Sequence, residues 1–247
     1  MNPVVTISGG GIIGNYISSR LNNNNIETLV IEKSPADLSE KENIRTLTLN
    51  SYSKELLDDL GINIDYAEIK KINVFDGEGT GKIDFSSDEI HSENLSYVVY
   101  FNDLQSALKR KEKERTFFEE EIKRFKEDGV NNSCEILLSK DKKITSQFIA
   151  GCDGRNSNVA KLASLNPISS DYNQTAITFT AKSSLKDLTI AHQIFSERGI
   201  FAIMPLPLNT EESTHTIVWS VDNKRLQDQE AKEYVQKYIS YFERKLK

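Results

Sequence analysis

Three glycines near the start of the chain, Gly9, Gly11 and Gly14, are spaced Gly-x-Gly-x-x-Gly between two apolar runs, Val4-Val5-Thr6-Ile7 and Thr28-Leu29-Val30-Ile31. The second run delivers Glu32, 18 residues beyond Gly14. These residue types at this spacing have the chemistry of an adenine-dinucleotide site. Gly9 permits a tight turn after a strand, Gly11 lets backbone approach a pyrophosphate, and Gly14 lets a helix pack closely on the strand. The N–H groups opening that helix, with the positive end of its dipole, suit phosphate. A carboxylate at Glu32 can accept hydrogen bonds from a ribose diol and would repel a 2′-phosphate.

The surrounding pattern supplies the elements that must position these groups. Ile12, Ile13, Tyr16, Ile17 and Leu21 recur at helical spacing, and Asn22 to Asn25 make a polar turn before the second strand. Residues 34–43 read as a polar loop. Leu56, Leu57 and Leu60 predict a short helix over residues 51–60, stopped by Gly61. Residues 69–85 and 95–101 read as strands, with Asp76 to Gly79 as a turn region. Asp103 is placed to cap a charged helix over residues 104–126. Residues 133–138 and 143–149 form a strand pair around Asp141 and Lys142, and the second strand runs into Ala150-Gly151-Cys152-Asp153-Gly154. Further strands are expected over residues 175–181, 193–195, 199–205 and 214–221. A final amphipathic helix over residues 228–247 aligns Ala231, Tyr234, Val235, Tyr238, Ile239 and Phe242 on one face. The two structural styles alternate along the chain, so the expected architecture is α/β with interleaved domains.

Composition narrows the functional classes. The 247 residues are 38% hydrophobic, enough for a packed core, in one large domain or two smaller ones. A formal net charge of −6 excludes the broad basic face that a nucleic-acid partner requires. The run Lys109-Arg110-Lys111 is followed at once by Glu112 and Glu114, the pattern of a solvated helix surface. Cys134 and Cys152 lie far apart, outside any Cys-x-x-Cys pattern, so neither a disulfide framework nor a zinc site is supported. No metal ligand set is expected. The chain enters its first strand without a charged leader, and no apolar run approaches the roughly 18 residues of a spanning helix. A cytoplasmic protein, soluble or peripheral at a membrane, is therefore expected. His91, His192 and His215 are scattered and read as surface or strand residues, because no partner is spaced to orient any of them as a base.

Four landmarks stand in one order: the glycine motif with Glu32; Arg45 opening Arg-Thr-Leu-Thr-Leu; Gly151-Cys152-Asp153-Gly154-Arg155-Asn156-Ser157; and Gly199-Ile200-Phe201-Ala202-Ile203-Met204-Pro205-Leu206, followed by Val218-Trp219-Ser220. Together they resemble the FAD-dependent aromatic hydroxylases of the para-hydroxybenzoate hydroxylase type, and within them most closely the hydroxylases of ubiquinone biosynthesis. The resemblance covers essentially the whole chain. It implies a Rossmann-like FAD-binding domain of residues 1–70 and 98–168, interleaved with a partial β-sheet substrate domain of residues 71–97 and 169–247. It assigns Gly9, Gly11 and Gly14 to the FAD pyrophosphate, Glu32 to the adenosine ribose, and Arg45 to the phosphate and ribityl region. Asp153 and Gly154 become a second fingerprint near FAD and the pyridine nucleotide.

The implied reaction is hydroxylation of an aromatic ring, a polyprenylated phenol, with NAD(P)H as reductant and O2. The flavin carries the oxygen chemistry, so no side chain is nominated as catalytic. Phe201, Ile203, Met204 and Trp219 are either one wall of the substrate site or the core of a sheet. Such a substrate would bring the protein to a membrane surface. Cys152 stands where the family has a small alanine, and Ser157-Asn158-Val159-Ala160 lacks an arginine that the pattern would place after the valine. The family's third motif, a Gly-Asp pair later in the chain, has no counterpart in these 247 residues. The resemblance therefore implies a fold whose C-terminal part is missing. The chain would then be an oxygenase acting alone or completed by a separately encoded C-terminal fragment, or a non-catalytic remnant retaining at most a dinucleotide site.

Overall fold

A computed structural model describes residues 2–36, 44–207, 214–226 and 230–246. In chain order the elements are β1 (Val5–Ser8), α1 (Ile12–Asn23), β2 (Thr28–Glu32), β3 (Thr46–Asn50), α2 (Ser51–Asp58), β4 (Ala67–Ile69), β5 (Lys71–Asp76), β6 (Lys82–Ser86), β7 (Ser96–Tyr100) and α3 (Phe101–Glu112). There follow β8 (Thr116–Phe118), β9 (Ile122–Asp128), β10 (Ser133–Leu138), β11 (Lys143–Ser146), β12 (Phe148–Gly151), α4 (Asn158–Leu162), β13 (Gln174–Ala181), β14 (Ile190–Ser196), β15 (Gly199–Pro205), β16 (His215–Asp222) and α5 (Ala231–Lys245). The chain divides into two compact units, and both are discontinuous in sequence. The first comprises Met1–Glu42, Leu60–Ile62 and Asp103–Ser169; the second comprises Asn43–Asp59, Asn63–Asn102 and Ser170–Lys247.

The first unit is built on a four-stranded parallel sheet in the order β12-β1-β2-β8. Every residue of β1 is buried, as expected where a parallel sheet is covered on both faces. Parallel neighbours need a crossover, and α1 supplies it between β1 and β2. Ile17 and Leu21 of α1 pack with Val5, Ile7 and Val30. Opposite them, Leu29 and Ile31 join Ile122, Ile136, Leu138, Ile144 and Val159 in a second cluster, to which the antiparallel meander β9-β10-β11 contributes.

The second unit holds a six-stranded sheet, β13-β16-β15-β14-β5-β6, and a three-stranded one, β3-β7-β4. Strand alternation divides the large sheet into two faces. Phe201, Ile203, Ile217 and Trp219 pack beneath α5 with Tyr234 and Phe242, and the Phe201 and Phe242 rings stack 4.3 Å apart. Met204 belongs to the other face, against Ala67, Ile69, Val98 and Ala191. Of the two readings for these residues, the structure places Phe201, Ile203 and Trp219 in the core beneath α5, while Met204 is half-buried on the opposite face.

Two expectations need correction. The charged helix predicted over residues 104–126 ends at Glu112, and Lys113–Arg115 tighten into a 3-10 turn. Thr116-Phe117-Phe118 then pairs with β2, because β-branched and aromatic residues suit a strand beside Val30 and Ile31. The charged stretch beyond it becomes β9, whose Ile122 and Phe125 mimic a helical face in sequence but pack under the meander. Asp103 is the third residue of α3 and not its cap. Most of the loop expected at residues 34–43, and Asp228 at the predicted start of the last helix, lie outside the described residues. Among those described, no helix is long and apolar enough to cross a membrane.

Candidate functional site

The glycine motif occupies the turn from β1 into α1. Gly9 has φ +103°, a backbone conformation side chains resist, and a Cβ there would overlap the Cys152 carbonyl. A Cβ on Gly14 would overlap the Gly9 carbonyl oxygen, so the first turn of α1 is seated directly on the loop. Gly11 differs from both, since a Cβ would meet nothing within 4 Å. It lines a cleft of about 290 Å³ together with Ser8, Gly9, Glu32, Asp153 and Gly154.

Glu32, at the end of β2, places its carboxylate across this turn. Its Oε2 accepts the Gly10 N–H at 2.6 Å and its Oε1 accepts the Ser34 N–H at 2.7 Å. Asn15 secures the same loop from the helix side, its Nδ2 donating to the Gly10 carbonyl at 2.8 Å. The charge around the cleft is mostly negative, with Glu32, Glu120, Glu121 and Asp153 against Lys33. A phosphate here would depend on backbone N–H groups and on α1, which carries no acid in its first turn.

Asp153 follows β12 and is committed to its own neighbourhood. One carboxylate oxygen accepts the Ser157 hydroxyl at 2.5 Å, and the other accepts the N–H groups of Asn158 at 2.6 Å and Val159 at 3.2 Å. Burial would raise its pKa, but the bonds from Ser157, Val159 and Asn158 outweigh that and hold the carboxyl below the ordinary range. Gly154, with φ +84°, turns the chain at the cleft wall. Burial and the adjacent Asp153 charge push the Cys152 thiol up, so it is protonated at neutral pH and no nucleophile.

Of the residues singled out in sequence, Gly9, Gly11, Glu32, Asp153 and Gly154 thus share one cleft, with Gly14 packed behind it. Arg45 belongs to the second unit, where it is exposed, precedes β3, and holds its guanidinium 4.2 Å from the Phe101 ring centroid. Sequence reasoning missed Asn15 and Glu120. Asn15 is a polar residue on the buried side of α1, a placement that asks for a backbone partner. Glu120 is buried beside the cleft, accepting from the Ser139 hydroxyl at 2.7 Å and the Lys140 N–H at 3.2 Å, and nothing in its acidic run marks it out. Among the described residues, no group of three or more His, Cys, Asp or Glu could hold a metal ion.

A parallel sheet with a glycine turn, a crossover helix and an acid at the tip of the second strand defines a dinucleotide-binding α/β protein. The comparison with known families is specific: the chain belongs to the FAD binding domain family, which matches residues 2–245. It is 24% identical over 262 residues to the mitochondrial ubiquinone biosynthesis monooxygenase COQ6 of Dictyostelium discoideum, covering 88% of this chain and 52% of that protein. The chain spans about half the length of the curated relatives it matches. Among solved structures, Pseudomonas aeruginosa PqsL in complex with 2-aminobenzoylacetate superposes with a TM-score of 0.79 at 14% identity, over 92% of this chain and 63% of that one. The p-nitrophenol 4-monooxygenase PnpA of Pseudomonas putida gives 0.74 at 14% identity, over 98% and 62%. The fold is that of FAD-dependent monooxygenases.

The cleft fits the phosphate end of such a cofactor. Gly11 leaves open the space a side chain would fill, α1 begins there, and the Glu32 carboxylate faces it.

Proposed function

We propose that this chain supplies the FAD-binding part of a flavin-dependent aromatic monooxygenase, with Gly9, Gly11 and Gly14 at the pyrophosphate, Glu32 at the adenosine ribose, and Arg45, Asp153 and Gly154 as further cofactor contacts. The observation that carries this reading is the convergence of the glycine turn, Glu32 and Asp153-Gly154 on one cleft of the first unit. In domain terms, residues 1–70 and 98–168 serve the cofactor, while residues 71–97 and 169–247 serve the substrate. The COQ6 relatives, named as monooxygenases of ubiquinone biosynthesis, support a substrate from that pathway. We infer further that this substrate is a polyprenylated phenol met at a membrane surface and that NAD(P)H is the reductant.

Bound FAD would supply the redox and oxygen chemistry. The chain's own residues would do the positioning. Gly11 and the first N–H groups of α1 would hold phosphate oxygens, and Glu32 would accept ribose hydroxyls while keeping the loop closed through Gly10. Asp153 holds the start of α4 against the turn that Gly154 makes.

A second reading is a dinucleotide-binding chain with no oxygenase activity of its own. It is favoured by the engagement of both Asp153 carboxylate oxygens by α4 and of the Arg45 guanidinium by Phe101. Titrating the purified chain with FAD while following flavin fluorescence tests the first reading, and failure to take up FAD would sink it while leaving the second standing. NAD(P)H oxidation by the loaded protein on addition of a phenol separates them.

A further inference from the structure

Glu112, the last residue of α3, is 1% exposed, and the half-exposed Arg115 guanidinium lies 3.8 Å from it. Its oxygens are taken from α1: Oε2 accepts the Ser18 hydroxyl at 2.5 Å and Oε1 the Ser19 hydroxyl at 2.6 Å. Ser18 also lies 2.6 Å from the Thr28 hydroxyl of β2, and Asn22 Nδ2 donates to that same Thr28 oxygen at 2.5 Å.

The directions of these bonds follow from proton counting. An ionised carboxylate only accepts, and a serine has one hydroxyl proton. Ser18 spends its proton on Glu112, so Thr28 must donate to Ser18, and Asn22 supplies Thr28. The order Asn22 to Thr28 to Ser18 to Glu112, joined by Ser19, is a chain of polarised hydrogen bonds ending on one charge.

We propose that Glu112 is a positioning residue for the cleft. It ties together α1, which begins beside Gly11, and β2, which ends in Glu32. Ser18 is about 10 Å along α1 from Gly11, and Thr28 about 13 Å along β2 from Glu32, short spans for stiff elements. The carboxylate is therefore not in reach of a ligand; it fixes the relative setting of the two elements that carry the phosphate and ribose groups. This rests on the dinucleotide reading of the cleft, but its test does not depend on it alone.

The experiment compares Glu112→Ala, Glu112→Gln and Leu138→Ala, a truncation of a fully buried side chain in the same unit, in the cluster on the face of the parallel sheet opposite α1. Backbone amide exchange is followed over residues 9–15, together with FAD affinity and melting temperature. Glu112→Ala should speed exchange in that segment on the order of tenfold beyond Leu138→Ala, since hydrogen bonds to a charge are lost. It should weaken FAD binding by a similar factor. Glu112→Gln, which can accept only one of the two hydroxyls, should fall between wild type and alanine. It carries the comparison alone if Glu112→Ala does not fold. Exchange over residues 9–15 that rises no more than in Leu138→Ala would overturn the proposal. A wild-type chain that takes up no FAD would sink the functional reading, while the exchange data would still decide the role of Glu112.

Discussion

Glu32 and Gly10 are joined side chain to backbone: Glu32 Oε2 accepts the Gly10 N–H at 2.6 Å, and a Cβ on Gly10 would stand 3.1 Å from that of Glu32. The acid at the tip of β2 thus closes the glycine turn as well as facing the cleft. Its second oxygen accepts from Ser34 N–H, so the carboxylate is held in a fixed orientation before any ligand arrives.

Glu32→Ala should therefore do two things. If the carboxylate also holds ribose hydroxyls, FAD affinity should weaken by about 1–3 kcal/mol, the scale of hydrogen bonds to a charged group. Melting temperature should fall as well, because the Gly10 N–H loses its acceptor. Glu32→Gln keeps an acceptor for one N–H and should recover part of the stability. Fluorescence titration and thermal melts on the same samples check this, and unchanged affinity in Glu32→Ala would remove the ribose role.

Gly14 and Gly11 separate packing from binding. A methyl group on Gly14 meets the Gly9 carbonyl, so Gly14→Ala must push α1 off the loop, and a loss of roughly 2–4 kcal/mol is expected in urea unfolding. Gly11→Ala has open space, so its expected cost is that of alanine against glycine at the N-cap, about 0.5–1 kcal/mol and well below that of Gly14→Ala. Its methyl group would nonetheless stand at the cleft wall, so FAD affinity should fall while the urea midpoint drops far less than in Gly14→Ala. The opposite pattern would contradict the assignment.

The contrast also shows what could be read before the structure. The roles of Gly9 and Gly14 were legible because their spacing encodes a local turn and its packing, and local geometry is written in adjacent residues. The end of α3 was not. Residues 113–126 carry a helix-like mix of charge with Ile122 and Phe125, and only pairing of Thr116–Phe118 with β2, a contact between residues far apart in sequence, decides for strand. The face of the large sheet on which Phe201 and Trp219 lie followed the same logic: alternation separates two faces, but α5 decides which is core. Arg45 was legible as the charged residue opening Arg-Thr-Leu-Thr-Leu; its stacking on Phe101 depends on the pairing of β3 with β7, which no motif announces.

His215 makes the fold sensitive to acid. It is fully buried on β16; its Nδ1 pairs with the Thr214 hydroxyl at 2.7 Å, and its Nε2 has no partner among the described protein groups. Burial, with the nearby His192 adding to it, pushes its pKa down to about 4 from an ordinary 6.5. His192 is shifted the same way by its own burial and by Lys82, against a smaller opposing effect of Asp187. The folded state thus prefers the neutral imidazole. Between these values the unfolded chain binds more protons, so stability must rise with pH. The contribution is complete above about pH 6.5, is lost progressively as pH falls towards 4, and changes little below that. A shift of this size corresponds to about 3 kcal/mol. Asp153 adds a loss in the same direction only at lower pH, where its depressed carboxyl protonates. Replacing His215 with Phe keeps an aromatic ring and removes the titration, so urea midpoints measured from pH 7 to pH 4.5 should fall less steeply than in wild type. Equal slopes for the two proteins would show that His215 is not the group responsible.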